Sequence, residues 1–157
     1  MGPPALDKSS NTLPLSLAVT YQQKGERPID DVFTYEIVKV LPPGFDADFL
    51  KSSRTKAKIM DHKTRIKGID VGMGQETNKN IEVLLLPRDQ ISDIENDRLR
   101  FYVFFYASWK DSLNQSGSFD KCFSMAVPKL GVFLNTFTSV QLNSQPDTKT
   151  YRCEEPR

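Results

Sequence analysis

The segment Leu99-Arg100-Phe101-Tyr102-Val103-Phe104-Phe105-Tyr106-Ala107-Ser108-Trp109 decides the fold. Its residue types favour extended backbone, and apolar side chains fall at both odd and even positions. A half-buried strand alternates and keeps one wet face. This one keeps none, which suits the central strand of a sandwich. The neighbouring stretches read as the strands around it. Upstream, Lys79–Leu86 is a strand ended by Pro87. Downstream, Asp111–Gly117 is a turn, Phe119–Val127 is a strand, and Gly131–Leu142 is another, carrying Val132, Leu134, Thr136, Thr138, Val140 and Leu142 at period two.

Nearer the start, Leu13, Leu15, Leu17, Val19 and Tyr21 alternate with Pro14, Ser16, Ala18 and Thr20, the pattern of a half-buried strand. Gln22–Asp31 is a ten-residue polar loop containing Gly25 and Pro28. Val32–Leu41 is a second strand, with Phe33, Tyr35 and Ile37 on one face, and Pro42-Pro43-Gly44 stops it. Phe45–Lys58 is the one helical segment. Phe45, Phe49 and Leu50 fall at i, i+4 and i+5, and Lys51, Arg54, Lys56 and Lys58 crowd the end where a helix favours positive charge. Thr64–Val71 is a weak strand or a connector. The chain lacks strand–helix–strand alternation, which argues against a nucleotide-binding α/β fold. The expected architecture is mainly β, an antiparallel β-sandwich with one short helical insertion. Residues 1–12 read as a flexible lead-in or an expression scar, 13–142 as the β-sandwich domain and 143–157 as a polar C-terminal tail.

Composition narrows the function. The chain has 157 residues, 38% hydrophobic and 26% charged, enough for one domain with its own core. Its 21 Lys and Arg nearly balance 20 Asp and Glu, so no basic excess points to nucleic acid. The start has no basic segment followed by an apolar one, so no signal peptide is read there. The apolar runs fall well short of the ~20 residues that span a bilayer. The two cysteines, Cys122 and Cys153, have 30 residues between them. One bridge would contribute about 3–4 kcal/mol by loop closure, and two buried free thiols fit the count equally. The polar setting of Cys153 favours the bridge, and with it an oxidising compartment.

No stretch demands catalysis. Gly72-Met73-Gly74 lacks the third glycine and the apolar helix of a dinucleotide loop, so a turn is the simpler reading. His62, the single histidine, lies in the polar Asp61-His62-Lys63 and leaves no second imidazole for a metal cluster. Nothing around the carboxylate pairs Asp30-Asp31 and Asp46/Asp48 suggests the burial that would shift a pKa, so they read as ordinary surface carboxylates. Lys51, Arg54, Lys56, Lys58, Lys63, Arg65 and Lys67 form the one charge bias, either a solvated face or a surface for anionic headgroups. The expectation is a non-enzymatic protein with no cofactor, metal or small-molecule substrate.

The order of several segments resembles the outer-membrane lipoprotein of bacterial type VI secretion systems, the TssJ family. Gly25-Glu26-Arg27-Pro28 followed by Val32-Phe33-Thr34-Tyr35-Glu36-Ile37 is similar to that family's Gly-Arg-Pro loop and Val-rich second strand, with Glu26 inserted. Phe45-Asp46-Ala47-Asp48-Phe49-Leu50 resembles its Phe-x-x-Ala-Asp-Phe-x-x-Leu helix. Ile81–Pro87 and Leu99–Phe105 resemble its paired strands on either side of a proline-bearing turn, whereas Phe119–Val127 lacks the tryptophan of its later segment. The resemblance covers Leu13–Leu142. It implies a transthyretin-like sandwich on the periplasmic face of the outer membrane, held by a lipid anchor absent from this chain. It also implies a structural role, binding the periplasmic domain of a large inner-membrane secretion protein. By position, the contact falls on Gln23, Lys24, Gly25, Glu26 and Arg27. A β-sandwich binding module of another class, adhesin-like or binding anionic surfaces, is the alternative.

Overall fold

The computed structural model describes residues 12–22, 29–64, 69–71, 76–111, 113, 115–130, 140–142, 145 and 147–155. The strands are β1 (Thr12–Gln22), β2 (Ile29–Leu41), β3 (Ile69–Val71), β4 (Glu76–Pro87), β5 (Arg100–Asp111), β6 (Ser116–Ala126), β7 (Val140–Gln141) and β8 (Lys149–Arg152). Helix α1 (Asp46–Thr64) separates β2 from β3, and a 3-10 turn (Arg88–Gln90) leads into α2 (Ile91–Glu95) before β5. One sheet has the order β4-β1-β7 and the other β3-β2-β5-β6-β8. All pairings are antiparallel except β1 with β7.

Strand β5 sits in the middle of the five-stranded sheet, and every residue from Phe101 to Ser108 is buried. Period two divides them between two layers. Phe101 and Val103 join Leu15 and Leu17 of β1, Leu86 of β4 and Met125 of β6 in an apolar cluster shared by both sheets. Tyr102, Phe104 and Tyr106 join Phe49, Leu50 and Ala57 of α1 in a second cluster, on the opposite face. Val38 and Val40 of β2 side with the first cluster, and Phe33, Tyr35 and Ile37 with the second. The small sheet and the helix thus cover opposite faces of the large sheet.

Helix α1 begins where Pro42-Pro43-Gly44 ends β2. Gly44 takes a φ of +100°, a conformation that a side chain would strain. Asp46 and Asp48 occupy the first turn, where the helix dipole favours carboxylates. Phe49, Leu50, Ser53 and Ala57 face the sheet, while Lys51, Ser52, Thr55, Lys56 and Lys58 face outward.

The expected mainly β, antiparallel architecture with a helical insertion is what the chain adopts, with several local departures. The helix continues to Thr64 rather than ending at Lys58, and is 19 residues long. The α2 turn falls inside the proline-bearing turn because Ile94 is needed in the apolar cluster. Strands β4 and β5, which the resemblance sets side by side, lie in different sheets. The polar loop shortens from both ends, since β1 reaches Gln22 opposite Glu76 and β2 begins at Ile29 opposite Asp111. Backbone pairing satisfies those residues whatever the polarity of their side chains. The segment 143–157 is also more than a tail, because its Lys149–Arg152 pairs with β6. Most of the expected strand Gly131–Leu142 lies outside the described residues, and its end supplies β7 and the buried Leu142.

Candidate functional site

The residues expected to contact a partner, Gln23, Lys24, Gly25, Glu26 and Arg27, lie outside the described residues. Their frame is defined. They join the end of β1 in the small sheet to the start of β2 in the large one, from Gln22, opposite Glu76, to Ile29, opposite Val71 and Asp111. Gly72-Met73-Gly74, Arg65 and Lys67 also lie outside the described residues.

The most elaborate polar arrangement among the described residues sits elsewhere, where α1, β6 and the C-terminal segment meet. Arg54 is on the flank of α1, one turn after Leu50. Its Nε donates to Asp120 Oδ2 at 2.9 Å and its Nη2 to Asp120 Oδ1 at 3.1 Å. Its Nη1 donates to Glu155 Oε2 at 2.9 Å, and Nη2 reaches Glu155 Oε1 at 3.3 Å. Hydrogen bonds donated to both carboxylates raise the guanidinium pKa further, and Arg54 in turn holds Glu155 below the usual carboxylate range. Two bidentate partners leave Arg54 little donor capacity for an outside anion. A groove of about 530 Å³ runs beside this cluster, lined by Leu50, Lys121, Phe123, Arg152 and the two cysteines among others.

Cys122 and Cys153 are bonded to each other, with Cα atoms 5.4 Å apart. The geometry follows from the β6–β8 register, because Phe123 opposes Arg152 and the next pair outward is the two cysteines. The Cys153 amide donates to the Cys122 carbonyl at 3.1 Å. Nearby, Asp46 Oδ2 accepts from the Glu154 amide at 3.3 Å, while its Oδ1 accepts from Tyr102 Oη at 2.9 Å. Burial and the Asp46 contact push the Tyr102 phenol up to about 12. The start of the helix, the central strand and the C-terminal segment are thereby tied together.

At the other end of α1, Asp61 Oδ2 accepts from Tyr106 Oη at 2.9 Å and from Ser108 Oγ at 2.7 Å. His62 is exposed beside them, and with Lys58, Asp61 and Tyr106 it lines a shallow recess of about 270 Å³. The carboxylate thus receives two hydroxyl donors from β5. This contact anchors the last turns of the helix.

The remaining candidates separate. Asp46 is engaged as described and Asp48 is exposed. Of the basic run, Lys51, Lys56 and Lys58 point outward, while Arg54 turns to Asp120 and Glu155. No group of three metal-ligating side chains occurs among the described residues. Among them, too, no helix is long and apolar enough to cross a membrane. The sequence had given no sign of the Arg54 cluster, whose members are separated by 66 and 101 positions. Comparison with protein families, curated proteins and solved structures finds no match to this chain.

Proposed function

We propose that this chain is a structural, non-enzymatic domain that binds a partner protein in an oxidising compartment. Specifically, we assign it to the periplasmic face of the bacterial outer membrane, as a transthyretin-like sandwich of the secretion-lipoprotein kind. There it binds the periplasmic domain of a large inner-membrane secretion protein, through the connection that contains Gln23, Lys24, Gly25, Glu26 and Arg27. The observation that carries the reading is the placement of Phe45-Asp46-Ala47-Asp48-Phe49-Leu50. This motif opens a helix inserted after the second strand, and Phe49 and Leu50 seat it on the sheet. The Cys122–Cys153 bond supports an oxidising compartment. The polar groups described above are engaged in holding the fold together, which supports a role in binding rather than turnover.

The test is titration of the purified domain with the periplasmic fragment of the large inner-membrane protein encoded beside it. Saturable one-to-one binding, lost when Gln22–Asp31 is replaced by a short Gly-containing turn, is the expected outcome. Absence of binding by the folded, oxidised domain would overturn the assignment. One observation favours the second reading, an anionic surface as ligand. Lys51, Lys56 and Lys58 are exposed along α1, and none of them belongs to an ion pair among the described residues. That reading requires salt-sensitive binding to vesicles containing anionic lipid.

A further inference from the structure

Strand β6 is longer than the strand that covers it. Its eleven residues run from Ser116 to Ala126, but β8 pairs only with Phe123–Ala126. The hydrogen bond from the Cys153 amide to the Cys122 carbonyl fixes which backbone groups point outward. In an antiparallel strand the amide and carbonyl of one residue point to the same side, and neighbours alternate. Cys122 faces β8, so Asp120, Ser118 and Ser116 aim their backbone groups outward as well, beyond the reach of β8. Gly117, Phe119 and Lys121 turn theirs inward to β5. Among the described residues no strand pairs with the outward groups.

An edge left unpaired among the described residues is a template for another strand, and we propose that here it takes a second copy of this chain. The two β6 strands pair antiparallel about Ser118. Outward residues must pair with outward residues, and one register uses all three without calling on Cys122, which Cys153 already holds. It sets Ser118 opposite itself and Ser116 opposite Asp120 of the second copy. The intervening pair is Phe119 opposite Gly117 of the second copy.

Side-chain chemistry fits that register. Gly117 lies under the Trp109 indole, where an added Cβ would come within 2.8 Å of Cε2 and Cζ2. Phe119 is 39% exposed, and its ring lies 5.7 Å from Trp109 and 5.9 Å from Phe105 of its own chain. Opposite a glycine it gains the neighbouring indole of the second copy and completes an aromatic ladder across the junction. Asp120 faces a serine hydroxyl that can donate to it, and Lys121 faces Gln115, so no like charges oppose one another. The net charge of +1 adds little long-range repulsion. Two five-stranded sheets would become one continuous sheet. This pairing does not depend on the function proposed above.

Sedimentation of the full chain over about a hundredfold range of concentration tests it. The expected result is a reversible monomer–dimer equilibrium. Trp109, the single tryptophan, should shift its fluorescence to the red on dilution as the aromatic ladder separates. Ser118→Pro removes an outward amide without touching the β5 ladder, a site where an edge strand tolerates proline. It should weaken the dimer at least about tenfold while leaving the circular dichroism unchanged. Phe119→Ser alters no backbone group and should also weaken it, keeping the proposal testable if the proline variant fails to fold. A monomer at every concentration would overturn the proposal, as would a dimer that both substitutions leave intact. A chain that stays monomeric yet captures a different protein at this edge would likewise refute a second copy as the occupant.

Discussion

On one face of the five-stranded sheet, Phe101, Val103 and Met125 meet Leu15, Leu17 and Leu86 in an apolar contact. On the other, Tyr102, Tyr106 and Ser108 meet α1 through hydroxyl–carboxylate hydrogen bonds, alongside the packing of Phe49, Leu50 and Ala57. The two faces use alternate residues of the same strand, yet they solve different problems. The apolar face is non-directional, so its strength follows volume and area. On the helix face, Asp46 and Asp61 pin each end of α1 to a particular residue of β5, so that face also sets the register between helix and sheet. The C-terminal segment is joined to the same side by the disulfide, by Arg54 and by the Asp46–Glu154 contact.

The contrast yields a graded series of substitutions. Phe101→Ala strikes the apolar face at a residue with no exposure and should cost about 3–5 kcal/mol, read as a lower urea midpoint with unchanged cooperativity. On the helix face a comparable loss should follow from cutting the covalent tie. Cys153→Ser forfeits loop-closure stabilisation of about 3–4 kcal/mol. It should also speed amide exchange in Lys149–Arg152 far more than in β5, because all four side chains of β8 are exposed and add little burial.

Tyr102→Phe removes one hydrogen-bond donor without changing the shape of the ring, and should cost about 1 kcal/mol at neutral pH. It should also change the alkaline response. An unfolded tyrosine ionises near 10, while Tyr102 in the fold is pushed up to about 12. Between those values the folded chain holds the extra proton, so stability falls as pH rises through the window. The Phe variant should lose that part of the slope, as urea midpoints measured across the window would report. The smallest effect belongs to Arg54→Gln, whose part-exposed ion pairs should contribute about 1 kcal/mol or less. A loss as large as that of Phe101→Ala would overturn the distinction between the faces.

Much of this contrast was legible in the sequence, and the gaps have physical causes. Apolar residues at both parities marked β5 as doubly covered, and Phe33, Tyr35 and Ile37 shared a face as their alternation required. The start of α1 was readable from Pro42-Pro43-Gly44 and the Phe49–Leu50 pair. Its end was not, because the inward residue of the last turns is Asp61, which meets hydroxyls instead of apolar side chains. A search for apolar periodicity stops at Lys58 for that reason. Strand β8 escaped for a related one: none of its side chains is buried, and its place depends on backbone pairing and the bond at Cys153. The Arg54 cluster gathers residues from a helix, a distant strand and the C-terminal segment, and no local spacing records such a meeting. Of the candidate contact site, the sequence supplied the residue types and their position between β1 and β2, while the chemistry of a partner is not written in them.

The most direct test of the proposed role is amide hydrogen exchange on the oxidised chain, with and without the periplasmic fragment of the inner-membrane protein. The account predicts slowed exchange across residues 22–31 at saturating fragment, with β5 and α1 unchanged. Protection along the exposed Lys51–Lys58 side of α1 instead, or no change anywhere, would contradict it.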